Sequence, residues 1–238
     1  MPRYKIADIV FSVQLKYDYT KYLCKGYEYS GAEEDCFCAS VSEQEIAEES
    51  KKLPGYPNAF LESLVLFRKL CEYALSNAQG IIFHCSAICV DGEAYLFTAP
   101  SGTGKSTHTR LWRELLKERA IMINDDKPII RYVDGDFYVY GTPWQGKHNL
   151  GTNMRAKIRA ICQIYQNKTN VIEPLVPFKM LPVILNQTVR PTDSADMDKL
   201  LTLIDNMLSS VELYSLGCDV SQQAAKLSFE TMSGGKVL

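Results

Sequence analysis

The residues Ser101-Gly102-Thr103-Gly104-Lys105-Ser106-Thr107 join an apolar, strand-like run (95–99) to a helical pattern carrying Leu111, Trp112, Leu115 and Leu116. A glycine-rich turn between strand and helix that ends in Gly-Lys-Ser is an arrangement that holds phosphate. Its glycines let successive backbone N–H groups turn inward around an anion, and the helix adds its positive end. Lys105 brings a full charge toward the β- and γ-phosphates. The Ser106 hydroxyl is placed to ligate Mg²⁺, and Thr107 can donate to a phosphate oxygen. Residues 101–107 are therefore the candidate nucleotide-binding set. Ala99 stands where the fuller pattern has its first glycine, a position that needs only a negative φ.

A second feature follows closely. Ile121-Met122-Ile123-Asn124-Asp125-Asp126 is an apolar strand pattern ending in paired carboxylates, soon after Lys105. Strand ends beside a phosphate loop are where acids meet magnesium. Two adjacent carboxylates can divide labour, one holding Mg²⁺ and the other accepting a proton from an attacking hydroxyl. Ser106 and Asp126 are the candidate metal pair; which of Asp125 and Asp126 is the base stays open. The competing reading is an Asp-Asp turn into the next hairpin.

Of the three histidines, His84 falls inside an apolar strand pattern, where a structural role is common. His108 lies on the helix after the phosphate loop. His148 and Lys147 sit in a polar, glycine-punctuated stretch (142–153) of a length that is often functional. Arg190 follows a helical segment and precedes a proline. Lys147, His148 and Arg190 are candidates for substrate contact or a lid, against solvated-surface alternatives.

The elements that must position these groups are legible in outline. Residues 5–13 read as a first strand, the stretch with Tyr17, Tyr19, Tyr22, Tyr27 and Tyr29 as a small aromatic core, and 36–41 as a second strand. Ser42 and Glu45 form a capping box for a helix that Pro54-Gly55 ends, and a helix over 58–77 stops at Gly80. Strands at 81–90 and 93–98 flank Asp91-Gly92, and strands at 127–133 and 136–141 flank Asp134-Gly135, both strong hairpin signals. A helix is expected over 105–117 and strands over 120–124 and 158–165. Helices at 176–187, 194–210 and 220–232 follow, with a strand at 211–216. The division this suggests is a small N-terminal α+β unit (1–79) and a larger α/β unit (80–238).

Composition narrows the function. The chain has 238 residues, 46% hydrophobic and 23% charged, with a formal charge of −2. That is ordinary for a globular protein with a sizeable core, and it gives no global attraction to nucleic acid or anionic membrane. No signal peptide and no apolar run long enough to span a bilayer is apparent, so the expected compartment is the cytoplasm. The eight cysteines include no Cys-x-x-Cys pair and read as buried free thiols.

Phe83-His84, the Asp91-Gly92 hairpin, the 100–107 turn and Ile123-Asn124-Asp125-Asp126 together resemble the catalytic core of bacterial HPr serine kinase/phosphorylase, which is related to ATP-dependent phosphoenolpyruvate carboxykinase. The likeness covers roughly residues 80–155. It implies an α/β fold with a mixed-sheet P-loop kinase core, ATP and Mg²⁺ as cofactors, and assembly into homo-oligomers. It implies that Lys105 and Ser106 bind phosphate and magnesium, that Asp125 and Asp126 supply a base and a magnesium-associated acid, and that His84 lies near the active site. The Glu-Val-Arg-Gly-Leu-Gly signature of that family is absent, and 141–147 occupies the comparable region with different chemistry.

The reading that results is an ATP- and Mg²⁺-dependent kinase acting on a hydroxyl, such as a serine of a protein or peptide, with Asp125, Asp126, Lys105 and His84 as catalytic candidates. Two alternatives stand beside it. One is a carboxykinase-like enzyme on a small carboxylic acid; the other is a non-catalytic ATP-binding regulatory module.

Overall fold

Strand pairing divides the protein into two sheets of unequal size, in a mixed α/β arrangement. The structure, a computed structural model, describes residues 1–235. The smaller sheet is built from β1 (Arg3–Ile6), β2 (Ile9–Gln14) and, after the short helix α1 (Tyr19–Leu23), β3 (Phe37–Ser40), in the order β1-β2-β3. The single strand expected over 5–13 is thus a hairpin. Ala7 and Asp8 make its turn at φ +52° and +58°, the primed turn geometry that suits strand twist. Neither residue is the glycine or asparagine that normally announces such a turn. The expected aromatic core also differs. Tyr27 is buried, but Tyr19 and Tyr22 are exposed, and Tyr4 and Phe11 fill the core instead. Cys36 and Cys38 are exposed, unlike the six other cysteines.

Helix α2 (Glu43–Lys52) starts at the capping box. The Ser42 N–H donates to Glu45 Oε2 at 2.8 Å and the Glu45 N–H to Ser42 Oγ at 3.2 Å, satisfying donors that the helix start leaves free. Helix α3 (Asn58–Ala78) ends at Gln79, which adopts the left-handed conformation, one residue before Gly80.

The larger sheet takes β4 (Gly80–Ile82), β5 (Ser86–Val90), β6 (Glu93–Thr98), then, after helix α4 (Lys105–Leu116), β7 (Ala120–Asn124), β8 (Ile129–Val133), β9 (Asp136–Tyr140) and β10 (Arg155–Gln166). Its order is β4-β8-β9-β10-β6-β5-β7. The continuous strand expected over 81–90 is broken. β4 pairs with β8, whereas β5 pairs with β6 and β7, so the chain crosses between separate parts of the sheet at 83–85. Both aspartate-glycine turns are present, with Asp91, Gly92, Asp134 and Gly135 all at positive φ. β10 is the branch point. Residues 155–157 pair with β9, while 160–166 pair with β12 (Glu212–Cys218), which β11 (Val171–Pro174) joins. Helices α5 (Pro177–Asn186), α6 (Ser194–Ser210) and α7 (Gln222–Met232) complete the fold.

Because β5 runs antiparallel to both β6 and β7, the last two run the same way. Their C-terminal ends and the start of β5 therefore share one edge. Ser86 is opposite Phe97, and Ala87 is opposite both Leu96 and Asn124. Helix α4 is fixed against the sheet by the fully buried Trp112, whose ring lies 5.0 Å from Phe97 and 5.4 Å from Phe229 of α7.

The N-terminal segment and the larger sheet share side-chain packing. Tyr4, Phe11, Leu61 and Leu66 belong to one buried cluster with Ile82, Ile129, Tyr140 and Trp144. Trp144, in the loop between β9 and β10, donates from Nε1 to the Ser63 carbonyl at 3.1 Å and packs on Phe67 at 4.6 Å between ring centroids. Trp144→Ala is expected to destabilise the protein by about 3–5 kcal/mol, the usual cost of removing a buried Trp or Phe. Urea unfolding followed by circular dichroism measures this. A loss below about 1 kcal/mol would show that the loop is not anchored there.

Candidate active site

The turn after β6 is shaped by its two glycines. Gly102 and Gly104 have φ of +80° and +125°, conformations that L side chains rarely adopt. Nothing lies within 4 Å of where a Cβ would stand on either, so the space above the turn is open. Gly104 is the N-cap of α4 and no side chain caps this helix start, which leaves backbone N–H groups of the first turn available. Lys105 is only 8% exposed and donates from Nζ to the Ala99 carbonyl at 2.8 Å. Burial lowers its pKa, while Cys85, Asp126 and Asp125 oppose that shift.

The acids are held in different ways. Asp125 is 8% exposed, and its Oδ1 accepts from Ser86 Oγ at 2.7 Å. Its other oxygen faces Gly146, where a Cβ would come within 3.1 Å of Oδ2. Asp126 is placed between two nitrogens, with His84 Nε2 3.2 Å from Oδ1 and Lys127 Nζ 2.6 Å from Oδ2. The turn that carries both acids is set by Asn124, which is fully buried. Asn124 Oδ1 accepts from the Asp126 and Lys127 N–H groups, each at 2.8 Å. Its Nδ2 donates to the carbonyl and hydroxyl oxygens of Thr142 at 3.1 and 3.0 Å. The Thr142 hydroxyl in turn donates to the Lys127 carbonyl at 2.8 Å.

His84 lies in the break between β4 and β5, rather than within a strand as its surroundings in sequence suggest. Its backbone N–H donates to the Gln187 carbonyl at 2.7 Å. Burial lowers its pKa below the ordinary 6.5, and Lys105 lowers it further, against the opposing effect of Asp126. Its Nε2 faces the Asp126 carboxylate. The neighbouring Cys85 is fully buried and burial pushes its thiol well up, which makes it a poor nucleophile.

Two clefts open on either side of the α4 N-terminus. One, of about 460 Å³, lies toward the ends of β10 and β12 and is lined by Thr103, Gly104, Thr107, Asn167 and Asp219 among others. The other, of about 340 Å³, brings Ser106 and Thr107 together with Asp125 and His148. Asp125, not Asp126, is therefore the acid that shares a cleft with Ser106. Lys147 is exposed beside His148 and is absent from the residues lining either cleft. Arg190 lines a separate cavity with Arg68, Glu72 and Ile81. The 187–190 segment runs antiparallel to 81–84, with Thr188 opposite Phe83, so Arg190 extends away from His84 and the phosphate loop.

Sequence reasoning missed Ser86, Asn124, Thr142 and Lys127. Ser86 has no local signal, since its role depends on β5 entering the sheet between β6 and β7. Asn124 did carry one: an asparagine before two acids can accept from backbone N–H groups ahead of it. His108 turns out to be structural. Its Nε2 is 2.9 Å from Ser228 Oγ, which accepts from Trp112 Nε1 at 2.8 Å.

Burial depresses the His108 pKa from 6.5 to about 4. The folded state therefore takes up this proton less readily than the unfolded chain. Above pH 6.5 the group does not affect stability, and stability is lost as pH falls from 6.5 toward 4. At pH 5 the loss amounts to about 2 kcal/mol. His108→Gln, which keeps a hydrogen-bonding group facing Ser228, is expected to shrink the stability difference between pH 7 and pH 5 by about that amount. Urea unfolding at the two pH values measures it, and an unchanged difference would remove His108 as the cause.

No protein-family model and no curated protein matches the chain. Among solved structures, the Hpr(Ser) kinase/phosphatase from Coxiella burnetii aligns with 64% of this chain and 93% of its own, at 8% identity and a TM-score of 0.37. At that distance no residue role is carried from one protein to the other.

Proposed function

We propose that this protein is an ATP- and Mg²⁺-dependent phosphotransferase that moves the γ-phosphoryl group of ATP to a hydroxyl. The observation that carries this reading is that Ser106 and Thr107, at the uncapped start of α4, share one cleft with the buried carboxylate of Asp125.

The residues present fit both groups. The open glycine turn and the buried Lys105 suit a polyphosphate. The hydroxyl of Ser106 and the carboxylate of Asp125 are the oxygen donors magnesium takes, commonly one or two carboxylates together with substrate phosphates. In this reading Asp125, which lines the cleft with Ser106, is the magnesium-side acid. Magnesium, when bound, neutralises phosphate charge as the phosphoryl group moves.

Positioning and charge compensation dominate phosphoryl transfer. In this reading the α4 N–H groups and Lys105 orient the phosphates, and Ser86 holds Asp125 toward the cleft. Asp126, kept in place by His84 and Lys127, accepts the proton of the acceptor hydroxyl. The bond that forms joins the acceptor oxygen to the γ-phosphorus. The bond that breaks joins that phosphorus to the β,γ-bridging oxygen, and ADP leaves with the electron pair. His84→Ala would act through Asp126, so it is expected to lower kcat more than ATP affinity.

Lys105→Ala is expected to weaken binding of a non-hydrolysable ATP analogue by about tenfold or more, because a buried charge-assisted contact is lost. Asp126→Asn is expected to retain that affinity and lose on the order of 10²–10⁴ in transfer rate, the range for a general base. Titration calorimetry and transfer of labelled γ-phosphate in a cell extract that supplies acceptors read the two effects. Wild-type transfer rates in both Asp125→Asn and Asp126→Asn would overturn the assignment.

A further inference from the structure

The cleft that holds Ser106 and Asp125 extends along α4 to two arginines the proposed chemistry does not use. Arg110 and Arg113 line it together with His148, and Met122 and Leu150 give it apolar surface. Arg110 is exposed and paired with Glu114 at 2.8 Å. Arg113 is half-buried, and among the described residues its guanidinium has no hydrogen-bond or ion-pair partner. A guanidinium that is partly removed from water and left without a counter-charge favours an anion beside it. The single carboxylate lining this cleft is Asp125, whose Oδ1 is already held by Ser86.

Resting on the phosphotransferase reading of this site, we infer that the acceptor carries an anionic group beside its hydroxyl, bound by Arg113 with Arg110 and His148 in support. Arg110 and Arg113 lie four and seven residues beyond Ser106. At about 1.5 Å per residue, their backbone positions stand roughly 6 and 10 Å further along the helix. The anion thus sits at the far end of the cleft from the phosphate loop, with the hydroxyl toward the turn that carries Asp125 and Asp126. A volume of about 340 Å³ is at the small end of ligand pockets and suits one residue or a small hydroxy acid. The recognised chemistry is a hydroxyl with a nearby carboxylate or phosphate, whether free or part of an acidic peptide.

The test is binding, so that it stands whether or not transfer is observed. Glycerate, phosphoserine, serinamide, glycerol, and short serine peptides flanked by glutamate or by lysine are titrated into the full chain with a non-hydrolysable ATP analogue present, followed by calorimetry. Glycerate, phosphoserine or the glutamate peptide is expected to bind at least about tenfold more tightly than its neutral or basic counterpart, the worth of one charge-assisted contact. Arg113→Gln is expected to abolish that preference while leaving analogue affinity unchanged, which also shows that the variant is folded. Preference for glycerate or phosphoserine alone identifies a small acceptor, and preference for the glutamate peptide an acidic one; either supports the inference. Equal binding of anionic and neutral probes, no binding of any anionic probe, or an anionic preference that survives in Arg113→Gln overturns it. Loss of analogue binding in the unmodified protein would instead overturn the phosphotransferase reading, while the probes titrated without nucleotide still decide the anion site.

Discussion

Asn124 is a primary amide sealed from solvent at the end of β7, and its hydrogen-bonding capacity has to be met by protein. The way it is met sets the shape of the site. Its oxygen collects the N–H groups of Asp126 and Lys127, and its nitrogen reaches Thr142 on the far side of a hairpin. An unsatisfied buried amide costs about 1–3 kcal/mol, so the acidic turn and the start of the 142–153 loop are obliged to stay together. The loop is then closed from its other end, where the Thr152 N–H donates to the Ile123 carbonyl at 3.2 Å. One buried side chain thereby positions two acids and the loop that brings His148 to the same cleft.

Sheet topology supplies the rest. Placing β5 antiparallel between β6 and β7 puts the glycine turn and the acidic turn at one edge, with Ser86 between them. The crossing of the chain from β4 to β5 at 83–85 pairs instead with 187–188, and His84 Nε2 lies 3.2 Å from Asp126. Burial and mutual charge in this small space perturb Lys105, His84 and Cys85 together.

How much of this was legible in the sequence depends on how local each signal is. The glycine turn, the capping box of α2 and both aspartate-glycine hairpins are read from a few adjacent residues, and they occur where expected. The break at His84 was not legible, because an unbroken apolar run cannot reveal that its strand partners change midway. The Ala7-Asp8 turn was hidden for the opposite reason. Its residues disfavour the conformation they adopt, and tertiary contacts hold it: Asp8 Oδ2 accepts from the Tyr140 hydroxyl at 2.9 Å and from Arg155 Nη1 at 2.7 Å. Within the site, residue types pointed to Lys105, Ser106 and the acid pair. The distinct settings of Asp125 and Asp126, and the separation of Arg190 from the cleft, follow from packing that only the fold defines.

The central claim is that this cleft transfers phosphate to a hydroxyl, rather than only holding a nucleotide. The most direct measurement is to incubate the purified protein with γ-labelled ATP, Mg²⁺ and a cell extract, and to identify the labelled product by mass spectrometry. The account predicts a phosphate monoester on a hydroxyl of an extract component, formed only when magnesium is present. ATP that binds without transfer or hydrolysis, or label recovered on a carboxylate or nitrogen instead, would contradict it.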